Sequence, residues 1–195
     1  MKYESIGRTN TKISKINLGC MSFGSKLDWM IELDDAKPII DCALDLGITF
    51  FDTANAYSNG RSEEILGNLL KDCRNDVIIG TKVRYQMGNN PNDVGLSQEQ
   101  INKQIDKSLE RLQTKFIDLY QIHRWDYETP IKETLIALDQ LVKDKKVGHI
   151  GGSNMWTWQL AKSLWICNDL DLERFETIQT HYNLCYREEE REMIP

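Results

Sequence analysis

The stretch "DVIIGTKV" (76–83) decides how this chain folds. Its apolar residues do not alternate with polar ones, so both faces are to be buried. That is the pattern of a strand inside a parallel sheet covered by helices. The run closes on Lys82, a charged group at the point where such a strand emerges. The same design repeats in both directions along the chain. Upstream, "ITFFDTA" (48–54) ends on Asp52, and "KINLGC" (15–20) reads as a first strand behind a small hairpin through Arg8–Thr11. Downstream, "FIDLYQIH" (116–123) ends on His123 and "VGHIGGSN" (147–154) on Ser153 and Asn154. A sixth strand is expected at "FETIQTHYNL" (175–184).

Amphipathic stretches separate these runs. Residues 34–47 predict a helix capped by Asp34, with Pro38 near its first turn and Gly47 as its stop. Residues 62–72 predict one with Ser62 as N-cap. Residues 97–111 open on the capping-box pattern Ser97-x-x-Gln100, and 130–146 begin at Pro130. Helices are also expected at 155–167 and, as first turns only, in "EEEREMIP" (188–195). The loop between 85 and 96 holds Asn, Gly and Pro. The repeat of about 30 residues is the size of a βαβ unit.

Two architectures fit such a repeat, a doubly wound sheet and a barrel. Polar residues stand at the ends of successive strands: Asp52, Lys82, His123, Ser153 and Asn154. In a barrel these ends converge on one face, whereas an open sheet gathers its site at a single switch point. The prediction is therefore an α/β chain of the (β/α)8 TIM-barrel type, with about six parallel units, forming one domain over residues 1–195.

Bulk properties narrow the function. The 195 residues carry a formal net charge of -6, which argues against a nucleic-acid binder with a broad basic face. Five cysteines, an odd number without a Cys-x-x-Cys pair, argue against a disulfide framework and predict a cytoplasmic location. The N-terminus lacks the apolar core of a signal peptide, and no run approaches the 18 or so apolar residues of a membrane span. His123, His149 and His181 are too dispersed for a recognisable metal motif, and no metal is expected. His149 and His181 read as structural. The glycine fingerprint of the usual dinucleotide folds is absent: the first strand leads into "LGCMSFG" (18–24).

Asp52, Tyr57, Lys82 and His123 suit one another chemically. A phenol has an ordinary pKa of about 10. A Lys ammonium about 4 Å away would favour the phenolate by about 4 kcal/mol at an effective dielectric of ~20, or about 3 pKa units. A buried carboxylate such as Asp52 would hold that lysine and keep it charged. His123 would orient a carbonyl by hydrogen bonding. The set suits protonation of an alkoxide as it forms, the second half of carbonyl reduction. Each residue alone has an ordinary structural reading; their recurrence at one strand end after another favours the chemical one.

The chain also resembles the aldo-keto reductases, and within them the aryl-alcohol-dehydrogenase-like branch. The resemblance rests on "FFDTANAYSNGRSEEILG" (50–67), "IIGTKV" (78–83), "SLERLQTKFIDLYQIHRWD" (108–126), "LVKDKKVGHIGGSN" (141–154) and "IQTHYNLCYREEEREMIP" (178–195). It implies reversible NADPH-dependent reduction of an aldehyde or ketone, with NADH not excluded. By resemblance, Tyr57 is the proton donor, Lys82 and Asp52 tune it, and His123 orients the carbonyl. Ser153, Asn154 and Gln179 would hold the nicotinamide carboxamide. Asp52 and the Gly19, Cys20 and Met21 loop would lie beside its ribose. Tyr57, His123, Arg124 and Trp125 would meet the small-molecule carbonyl substrate. Gly152 departs from the family's pattern and loosens its strand.

A full barrel needs eight strands and about 250 residues. The expectation is thus a C-terminally truncated barrel, lacking its last two strands and the basic 2′-phosphate site. Its open strand edges would offer surfaces for self-association. The alternative role is a non-catalytic remnant, or a nicotinamide-binding regulatory or partner fragment.

Overall fold

A computed structural model describes residues 1–25 and 27–195. Strands β1 (Tyr3–Ser5) and β2 (Lys12–Ser14) form an antiparallel hairpin. The main sheet has six parallel strands in sequential order. They are β3 (Leu18–Gly19), β4 (Phe50–Asp52), β5 (Ile78–Val83), β6 (Ile117–Ile122), β7 (Val147–Ser153) and β8 (Phe175–Gln179). The intervening helices are α1 (Leu33–Asp45), α2 (Arg61–Leu70), α3 (Gln98–Arg111), α4 (Ile131–Lys143) and α5 (Thr157–Asp169). This is the α/β architecture of a partial TIM barrel, with six strands and an N-terminal hairpin.

The sheet curls. The Gln179 side-chain amide donates to an Asp52 carboxylate oxygen at 3.2 Å. In a flat sheet β4 and β8 would stand four strand spacings apart, about 19 Å. Only a strongly curved sheet brings the two side chains together on its concave side. The convex side packs on the helices through Ile65, Leu66, Leu70, Ile101, Ile105, Leu135 and Leu138, all fully buried. The hairpin lies across the N-terminal ends of the strands. Thr11 bonds His149 of β7 at 2.7 Å, the backbone N–H of Arg8 donates to Glu176 of β8, and Ser14 exchanges hydrogen bonds with Thr49. The structural reading of His149 fits this contact. The opposite, C-terminal ends remain free to carry chemistry.

Several local expectations change. The cap of α1 is Glu32, so Asp34 lies in the first turn and Pro38 falls inside the helix. The cap of α2 is Gly60, not Ser62. Ser62 is instead buried, its hydroxyl donating to the Cys20 carbonyl at 2.7 Å and sharing a bond with Thr53. Ser97 does cap α3, accepting from the Gln100 N–H at 3.3 Å, but the Gln100 side-chain oxygen makes no return bond. Strand β8 stops at Gln179, five residues before the expected end. Its partner β7 ends at Ser153 and Asn154 turns left-handed (φ 47°), so residues 180–184 find no ladder to join. The acidic C-terminal segment forms a single 3-10 turn, Glu188–Glu190, rather than the start of an α-helix.

Candidate active site

Register brings the polar strand ends to one level. Asp52 pairs with Gly80, Lys82 with Gln121, and Ser153 with Gln179. The Lys82 ammonium donates to Asp52 at 2.6 Å and to the Thr53 carbonyl at 2.9 Å. Lys82 is 1% exposed and Asp52 5%. A pair so deeply buried is held only by good geometry and by further hydrogen bonds to its members. Those come from Gln179 at 3.2 Å and Gln121 at 3.5 Å, both donating to Asp52. Burial pulls the Lys82 ammonium below its ordinary pKa, while Asp52 works in the opposite direction.

Tyr57 follows β4 on a tight turn. Ser58 and Asn59 adopt left-handed conformations (φ 48° and 55°), and Gly60 follows at φ 94°. Only glycine suits that last position, because a Cβ there would also lie 2.6 Å from the Arg111 side chain. Arg111 in turn pairs with the fully buried Glu63 at 2.6 Å, and Glu63 accepts from Thr81 beside Lys82. The turn that carries Tyr57 is thereby fixed to α2, α3 and β5. Consecutive left-handed residues outside glycine are costly and concentrate at functional sites.

The Tyr57 ring lies 5.2 Å from the Lys82 ammonium and edge-on to His123 at 5.5 Å. Its phenol is pushed up to about 12, by burial first and then by the Asp52 charge. This corrects the expectation that Lys82 lowers it. Burial disfavours the phenolate, and the nearby Asp52 carboxylate disfavours it further.

His123 is 9% exposed and makes edge contacts with Tyr57 at 5.5 Å and Tyr85 at 4.8 Å. Burial, then the positive charges of Lys82 and Arg124, push its imidazole down from 6.5 to about 4. Between those values the unfolded chain takes up a proton that the folded chain does not. Stability from this group is complete above about pH 6.5 and is lost as pH falls through about 4, a total of about 3 kcal/mol. Urea unfolding of the protein and of His123→Asn at about pH 7 and pH 4 tests this. The wild-type advantage should shrink by about that amount; a constant difference would contradict the assignment.

At the next strand ends, Ser153 is buried and Asn154 exposed. The Asn154 amide donates to the Ser153 hydroxyl at 2.9 Å and to the His123 carbonyl at 3.3 Å. Gly152, expected merely to loosen the strand, makes room for Met155: a Cβ there would lie 2.5 Å from the Met155 methyl. Gly19 and Met21 are exposed, whereas Cys20 is fully buried and its thiol raised well above its ordinary range by burial. Arg124 is exposed and borders a groove of about 600 Å³ that continues along Asn154, Thr180 and Tyr186. That groove adjoins the Tyr57 cluster without including it. Trp125 is buried, packed at 5.9 Å against the exposed Trp158. Gln121, Tyr85, Thr53 and Trp158 were not singled out in the sequence. Among the described residues, no three His, Cys, Asp or Glu side chains gather as metal ligands would. No described helix is long and apolar enough to cross a membrane.

The aldo/keto reductase family model matches residues 15–195. The chain is 40% identical to versiconal hemiacetal acetate reductase of Aspergillus parasiticus, over 100% of this chain and 63% of that protein. It is 38% identical to the aldo-keto reductase dtxS3 of Metarhizium robertsii, over 98% and 59% respectively. It is 37% identical to AAD16 of Saccharomyces cerevisiae, assigned by name to the aryl-alcohol dehydrogenases, over 100% and 64%. The chain thus spans 59 to 64% of the length of these relatives. The family match takes in every strand of the curled sheet and every residue just placed at its mouth, so the chain belongs to the aldo/keto reductase family.

Proposed function

We propose that this chain carries the acid–base machinery of an NADPH-linked reduction of an aldehyde or ketone to an alcohol, a reaction that is reversible. The observation that carries the reading is the buried Lys82–Asp52 pair beside Tyr57 and His123 at adjacent strand ends. Tyr57 donates the proton. Its raised pKa keeps it protonated at any working pH, and a forming alkoxide is a strong enough base to take that proton. His123, neutral and in edge contact with two tyrosine rings, positions the carbonyl oxygen. Lys82 and Asp52 fix the polar floor of the site.

The donor set fits a nicotinamide. A carboxamide needs both donors and acceptors, and Ser153, Asn154 and Gln179 offer hydroxyl and amide groups at neighbouring strand ends. Asn154 also bonds the Gln179 carbonyl through its backbone at 3.1 Å, which ties the two positions together. When bound, the reduced nicotinamide supplies the hydride; NADH would supply the same chemistry. Five unpaired cysteines suit a reducing compartment such as the cytoplasm.

The test is oxidation of NADPH by the purified chain in the presence of aromatic and short-chain aldehydes. Carbonyl-dependent oxidation is expected. Nucleotide binding without turnover would replace this reading with a non-catalytic binding role.

A further inference from the structure

The mouth of the site holds a cation that the chemistry above does not use. Arg84 directly follows β5, two residues beyond Lys82. Its guanidinium lies over the Tyr85 ring at 5.6 Å, and that ring packs on His123 at 4.8 Å. The cation and the imidazole therefore both contact the Tyr85 ring. The Arg84 Nε–H is buried and makes no hydrogen bond. Three carboxylates of the neighbouring strands and loops are already engaged. Asp52 is held by Lys82, Asp93 by Lys103, and Asp126 by the Leu96 N–H and the Thr129 hydroxyl. A half-buried guanidinium normally acquires a partner, because an unmade bond on a buried donor is costly.

Arg124 adds a second positive charge, close enough to be felt by the His123 imidazole. It borders a groove that also contains Glu188, Glu189 and Glu192, so its field is partly offset there. Among the described residues, Arg84 forms no salt bridge, and its buried Nε–H has no partner. In a chain of net charge -6, an unmatched arginine at the site's mouth stands against the overall balance.

We propose that Arg84 is the anchor for an anionic group on the substrate, and that the site takes carbonyl compounds bearing a carboxylate. Guanidinium and carboxylate match as a two-bond fork. Tyr85, in contact with both Arg84 and His123, joins the anchor to the carbonyl's place. This deepens the reduction reading and rests on it for the carbonyl's place.

The test compares 4-carboxybenzaldehyde with its uncharged methyl ester, methyl 4-formylbenzoate. Binding to the full chain is measured by calorimetry without nucleotide, and turnover is followed with NADPH. The acid should bind about tenfold or more tightly than the ester. That preference should collapse toward one in Arg84→Gln and persist in part in Arg84→Lys, which keeps the charge and loses the fork. Equal affinity in the wild type, or a preference that survives Arg84→Gln, would overturn the anchor. Turnover of both compounds with equal KM would remove the anchor and leave the reduction reading standing. A charge preference lost in Arg84→Gln, with no turnover of either compound, would do the reverse.

Discussion

Tyr57→Phe should lower kcat for NADPH-linked carbonyl reduction by about 10²- to 10⁴-fold, the usual contribution of a positioned proton donor. The change removes one oxygen and keeps the ring that packs edge-on against His123. Substrate and nucleotide should therefore still bind, and the loss should fall on kcat rather than KM. The neighbouring phenol of Tyr85 does not substitute easily. It packs edge-on against the imidazole at 4.8 Å, while the ring beside the Lys82 ammonium is that of Tyr57. Steady-state kinetics on the two proteins checks the expectation. A variant with unchanged kcat would remove Tyr57 from the chemistry and leave the buried pair unexplained.

Lys82→Met should destabilise the fold by about 3–5 kcal/mol, the cost of leaving a buried carboxylate without its counter-ion. Asp52 is 5% exposed, and its remaining partners are the neutral amides of Gln179 and Gln121. Neither can cancel a charge. The double variant Asp52→Asn with Lys82→Met removes both charges and should recover most of the loss, since a neutral interior of similar volume is often no less stable than a buried pair. Urea unfolding of the wild type, both single variants and the double variant closes the cycle. If the Lys82→Met loss is below about 1 kcal/mol, or if it simply adds to that of Asp52→Asn, the pair does not carry the weight assigned to it.

The parts of the fold legible in the sequence were those set by local pattern. Continuous apolar runs bounded by helices forced a parallel sheet, and the charge closing each run marked its C-terminal end. Asp52, Lys82 and His123 could thus be placed on one face before any geometry was known. Features that depend on register were not legible. Gln121 looks like an ordinary strand residue until its pairing with Lys82 puts its amide within reach of Asp52. Ser62 has the chemistry of a helix cap, and was read as one, because nothing local reveals that the Cys20 carbonyl 42 positions away is its partner. The direction of the Tyr57 shift failed for a similar reason. Its sign is set first by how deeply the phenol is buried and then by the Asp52 charge, and both are matters of tertiary structure.

The convergence on Asp52 bears on how such a molecule can vary. Side chains from β5, β6 and β8 all reach one carboxylate on β4, so strand positions alone set the polar floor of the site. The loops are free of that duty. Insertions and deletions in loops other than the Tyr57 turn can reshape what enters the mouth while the Lys82–Asp52 pair stays in place. Loop exchange between relatives would therefore be a route to new substrate ranges, whereas a single methylene's change at Asp52 would have to be accommodated by four strands at once.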